Sequence, residues 1–152
     1  MIYALSWYIQ DFLLVLGTGK VLVPEVFLLS MVFLSLYRPG GGVEIIWWAF
    51  FGGVLWDLRW LGFPGISSLF YLTAILTSRW VWYSLPASGR TVPVFALILW
   101  SANLPISLLR IYLGGARGAS VFAAYLLQQS YILPLVLLAG LAYGWRVKNT
   151  DA

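Results

Sequence analysis

Apolar residues run through this chain almost without pause, and the only interruptions are short clusters of Gly, Pro, Arg and Lys. Hydrophobic residues make up 62% of its 152 positions, and the mean hydropathy is +0.91. A soluble domain of this length cannot hide so much apolar surface, because a large share of any small globule stays wet. A bilayer can. The sequence therefore predicts an all-α integral membrane protein with almost no extramembrane domain, whose function lies in its bundle, its lipid-facing surface or its short loops.

A transmembrane helix needs about 20 residues, so the length allows about six spans and one domain covering residues 1–152. The apolar segments are 2–16, 21–37, 43–56, 66–82, 92–113 and 119–145, and they predict one bundle of six transmembrane helices. The net charge of +4 would suggest nucleic acid in a soluble protein. Here the basic residues sit one at a time in the interruptions, as at helix ends near lipid headgroups, so no nucleic acid is expected. An even number of spans puts both termini on one side. With the termini cytoplasmic, Arg38, Arg79, Arg90, Arg146 and Lys148 lie inside and Lys20, Arg59, Arg110 and Arg117 outside, a one-residue bias toward that orientation. The first residues lack a basic n-region and a small-residue cleavage site, and Gln10-Asp11 interrupts the apolar run, so this segment reads as retained.

Polar residues inside the apolar segments are the functional candidates. Ser6, Gln10 and Asp11 make one stripe on the first helix and should face neighbours or water. Pro24 fits a first helical turn, and Glu25 complements the positive end of that helix, with a functional carboxylate as the alternative. Asp57 either ends a helix and pairs with Arg59, or acts in the bundle. The small residues before it, Gly52 and Gly53, allow another backbone to come close, as do Gly140 and Gly144 in the sixth segment. Gly114 and Gly118 share that spacing but flank Arg117 in a loop, and Asn103 with Pro105 marks a kink. Tryptophans and tyrosines near segment ends, including Trp47-Trp48, Trp56, Trp60, Trp80, Trp82 and Trp145, read mostly as interfacial belts.

An enzyme is hard to assemble from these residues. There is no His to act as a base, no Cys to act as a nucleophile, no Gly-x-Ser-x-Gly elbow and no carboxylate set at metal-ligand spacing. A non-enzymatic protein without metal or cofactor is expected.

A combination of spaced residues carries a resemblance. Pro24-Glu25 opens an apolar helix that ends near Tyr37. After a turn, the next helix reads Gly53-Val54-Leu55-Trp56-Asp57-Leu58, followed by Gly62 and Gly65 before the next apolar run. Residues 21–76, over a third of the chain, resemble the bacterial rod shape-determining protein MreD family. Two departures are visible: Glu25 stands where the family more often has Asp, and the Trp60–Gly65 step carries an extra aromatic residue and Pro64. The resemblance implies a scaffold of the cell-elongation (peptidoglycan synthesis) machinery in the bacterial cytoplasmic (inner) membrane. Its expected partner is a single-span protein like MreC, and through it the glycan polymerase–transpeptidase pair and MreB filaments. It also implies a six-helix fold like the S-components of energy-coupling-factor transporters. The alternative function is therefore binding of a vitamin-like small molecule, at a pocket that Trp56, Asp57, Arg59 and Trp60 could line. No second polar group converges on those four in the sequence, so the scaffold is the favoured expectation. Gly52, Gly53, Asp57, Arg59, Glu25, Gly140 and Gly144 are the candidates for partner binding or helix packing.

Overall fold

The computed structural model describes residues 1–16, 23–113 and 119–150. The expected turn at Gly17–Lys20 and the Gly114–Gly118 loop lie outside the described residues, as do Val21 and Leu22. Six α-helices are present among the described residues, with no strand: α1 Ile2–Leu16, α2 Val26–Tyr37, α3 Gly42–Trp60, α4 Ile66–Ser84, α5 Val92–Leu113 and α6 Ala119–Thr150. Two helical stretches, Val92–Leu113 and Val121–Lys148, are long and apolar enough to cross a membrane. α1 and α2 are shorter apolar helices.

α2 is the centre of the bundle and touches all five other helices. Its composition explains why. It has no charged residue, and eight of its twelve positions are buried, among them Leu28, Met31 and Val32. A helix that is apolar all round is stable only when enclosed on every side. Around it, α3 packs on α4, α4 on α5, and α5 on α6. The helices alternate in direction. One end of the bundle therefore gathers the last turns of α1, α3 and α5 with the first turns of α2, α4 and α6, and the other end gathers the opposite set.

Three helix boundaries differ from the expected segments by four residues or more, and two others, the start of α3 and the end of α4, by one and two. α3 continues to Trp60 rather than stopping at Trp56, because Asp57 and Arg59 find partners on other helices and need not leave the bundle. α6 continues to Thr150 rather than Trp145, with Lys148 in its last turn, where a cation complements the helix dipole. α2 starts at Val26, so Pro24 precedes the helix rather than opening its first turn, and Glu25 stands at the boundary with no side-chain capping bond. The belt reading of the aromatic residues also divides. Trp47, Trp48, Trp80 and Trp145 are exposed, whereas Trp56 and Trp82 are buried in the bundle.

Candidate functional site

The end of the bundle where α2 begins holds a buried polar network that no single segment of the sequence announces. Glu25, Gln10 and Tyr71 are essentially inaccessible, and Arg110 is 6% exposed. Arg110 Nε lies 2.6 Å from Glu25 Oε1. Gln10 donates from Nε2 to Glu25 Oε2 at 2.9 Å and accepts the Phe27 backbone N–H at its Oε1. Tyr71 donates to Glu25 Oε2 at 3.3 Å and accepts a hydrogen bond from Arg110. The Arg110 guanidinium also stacks over the Trp56 ring, 4.1 Å from its centroid. Five elements thus meet on one ion pair. Burying either charge alone would cost several kcal/mol, so each needs the other and the neutral groups that fill its remaining hydrogen-bonding capacity.

Asp57 forms the second polar feature. It is fully buried, and its Oδ2 accepts the backbone N–H groups of Gly65 at 2.8 Å and Ser67 at 2.9 Å. A carboxylate at the start of α4 satisfies orphan amides and meets the positive helix end. The approach depends on two glycines. Gly62 (φ +73°) ends α3 after donating to the Asp57 carbonyl, and Gly65 (φ +111°) adopts a conformation that side chains strongly disfavour. Gly53 sits directly beneath. A Cβ there would lie 2.5 Å from the Ser68 backbone nitrogen. The spaced Gly53…Asp57…Gly62…Gly65 residues are therefore one packing unit that joins α3 to α4.

The alternative pairing of Asp57 with Arg59 does not form. Arg59 Nε instead binds Asp11 Oδ1 at 2.9 Å, and Trp60 Nε1 donates to the same oxygen at 3.1 Å. The polar stripe on α1 does face neighbours, through Gln10 and Asp11, while Ser6 bonds back to the Tyr3 carbonyl. Gly52 abuts the Phe27 ring of α2, and Gly140 and Gly144 face Ala96 and Val92 of α5. Of the seven candidates, Arg59 has a side chain about half exposed, whereas Glu25 and Asp57 are enclosed.

Sequence reasoning missed the convergence beside Trp56. Gln10, Glu25, Tyr71 and Arg110 come from four helices, and each alone looks like a helix end or a core residue. Gln128 of α6 is also buried at this end and donates from Nε2 to the Val23 carbonyl at 3.4 Å. Several buried polar atoms here have no partner among the described residues: Asp57 Oδ1, the Ser67 and Ser107 hydroxyls, Gln128 Oε1 and the Gln129 amide. The one available signal was that Arg110 and Glu25 each interrupt an apolar run.

The third feature is an apolar groove between α1 and α3, of about 280 Å³, with Phe27 of α2 as its floor. Ala4 and Gly52 keep it open, and Trp7, Trp48, Phe51 and Leu55 form its walls. Trp7 crosses the gap and donates to the Gly52 carbonyl at 3.1 Å. Among the described residues no group of His, Cys, Asp or Glu is arranged to hold a metal ion. No protein-family model, curated protein or solved structure matches this chain.

Proposed function

We propose that this chain is a six-span protein of the bacterial cytoplasmic membrane and a non-enzymatic scaffold of the MreD type, which holds a single-span partner of the MreC type by its transmembrane helix. The groove between α1 and α3 carries the reading. Small residues, Ala4 and Gly52, keep it open between aromatic walls, so it admits the side chains of one further helix, and in lipid such packing replaces the hydrophobic drive. The outer surface supports the membrane part. Large apolar side chains are exposed on every helix except the enclosed α2, from Leu5 and Phe12 through Leu69 and Leu97 to Leu138 and Leu141. The Gly53–Gly65 unit also gives the residues of the family resemblance a common physical purpose. Glu25 and Asp57 then serve the fold, and Arg59 is the charged candidate left to orient a partner near the membrane edge.

The buried polar network favours a second reading. It supplies, beside Trp56, convergent polar groups of the kind a small-molecule-binding S-component requires. One experiment separates the two. A photo-crosslinking residue is placed at Phe51 or Leu55 in the groove and, as a control, at exposed Leu69 on α4, and the tagged protein is purified from its native membrane. The scaffold reading expects a single-span protein crosslinked from the groove positions and not from position 69. Equal capture at all three positions, or co-purification of a vitamin-like molecule with ATPase subunits, overturns it.

A further inference from the structure

The end of the bundle away from the ion pair is cationic and aromatic. Arg38, Arg79, Arg90, Arg146 and Lys148 all lie there, and among the described residues the opposing carboxylate is Glu44. A recess of about 290 Å³ opens between the last turns of α2, α4 and α6 and the start of α5. Arg90 and Arg146 line it together with Tyr37, Tyr83, Tyr143 and Trp82.

The guanidinium groups are held in place rather than left loose. Arg146 lies over the Tyr37 ring at 3.9 Å from its centroid, and the Tyr83 ring has Arg79 at 5.2 Å and Arg90 at 5.6 Å. Arg79 donates to the Ser35 carbonyl, and Arg90 donates to the Leu85 and Tyr83 carbonyls. Tyr143 donates to the Arg90 carbonyl, closing the wall between α5 and α6. The carbonyls that meet Arg90 carry no full negative charge. A concave site with two guanidiniums fixed on aromatic faces offers paired N–H donors and positive charge to the oxygens of a tetrahedral phosphate group.

We propose that this recess binds the phosphodiester headgroup of an anionic membrane lipid, with Arg90 and Arg146 contacting the phosphate and the tyrosine and tryptophan rings bordering the glycerol backbone and upper acyl chain. The inference rests on the membrane-spanning reading above. In that reading the recess lies at the depth of the headgroups, on the side that the weak charge bias assigns to the cytoplasm, where anionic lipid attracts basic residues. Ordinary accumulation of positive charge at helix ends would not by itself produce a recess or select one headgroup.

The test uses the full chain in nanodiscs of equal phosphatidylglycerol and phosphatidylcholine, followed by detergent extraction and native mass spectrometry of retained lipid. Retention of phosphatidylglycerol over phosphatidylcholine by about thirtyfold is expected, from two basic contacts of ordinary surface strength. Arg90→Gln with Arg146→Gln should abolish that preference, Arg146→Lys should keep most of it, and Arg59→Gln at the opposite end should leave it intact. The thermal midpoint in pure phosphatidylcholine shows whether a variant is folded. Equal retention of the two lipids by the folded wild type, or an unchanged preference in the folded double variant, overturns the proposal. Binding of soluble glycerol phosphate as tight as that of the lipid overturns the lipid as its source. Failure of the wild type to enter nanodiscs would instead sink the membrane reading itself.

Discussion

At the end of the bundle where α2 begins, negative charges are balanced from within. Glu25 has Arg110, Asp11 has Arg59, and Asp57 has the first amides of α4. At the other end cations outnumber carboxylates, and the arginines rest on carbonyls and aromatic rings around an open recess. The first arrangement is largely closed and specifies the fold, since every member except the half-exposed Arg59 is buried and needs the others. The second is open and suits an outside anion. Charge in this molecule thus has two separate uses, and single substitutions should expose them as different in size and kind.

The largest effect should come from the buried pair. Arg110→Met leaves Glu25 uncompensated and should cost about 3–5 kcal/mol, whereas Glu25→Leu combined with Arg110→Met should recover most of that loss. Thermal unfolding in detergent micelles, followed by near-ultraviolet circular dichroism, measures both. A double variant no better than the single one would mean that Gln10, Tyr71 and Trp56 depend on the charges for more than neutralisation.

Close backbone packing comes next. Gly53→Ala should cost about 1–3 kcal/mol, because the new methyl group meets the Ser68 backbone and the helices must separate. Gly140→Ala, toward the cationic end, has its nearest neighbour at an ordinary 3.5 Å and should be neutral or gain up to about 1 kcal/mol from helix propensity. The same unfolding assay should give these substitutions opposite signs. Equal costs would erase the distinction between a tightly joined end and a looser one.

Asp57→Ala should cost about 1–2 kcal/mol through loss of the α4 cap, and Asp57→Asn less, since both bonds fall on one oxygen and the amide oxygen can accept them without the negative charge. Protein level and unfolding midpoint check this pair. A large loss of partner retention in a fully stable Asp57→Asn variant would return Asp57 to the functional site. The smallest change belongs to Arg59→Gln. Its pair with Asp11 is half exposed and should contribute under about 1 kcal/mol. Partner crosslinking from the groove is the sharper readout for that variant.

Much of the architecture was legible in the residue order. The apolar runs located all six helices because a long segment without charges leaves few alternatives to a packed helix. Gly62, Pro64 and Gly65 located the break between α3 and α4 because their backbone preferences are local. Glycine spacing also pointed to close packing at Gly53 and Gly140, although it could not name the partner helices. Two of the boundaries that moved, at Trp60 and Thr150, are those where a charged residue found a partner or a favourable helix end.

The sequence by itself determined an all-helical chain, the positions of its breaks and the residue types present in its interior, since these follow from periodicity, backbone conformation and the cost of leaving water. Only the tertiary structure decided that Glu25 belongs with Arg110, Asp11 with Arg59, and Asp57 with the amides of Gly65 and Ser67. Those pairings join residues up to 85 positions apart (Glu25 and Arg110), and nothing local distinguishes one distant partner from another. They are selected when all the helices pack at once, because each buried charge is tolerable only in the arrangement that brings its partner within hydrogen-bonding reach.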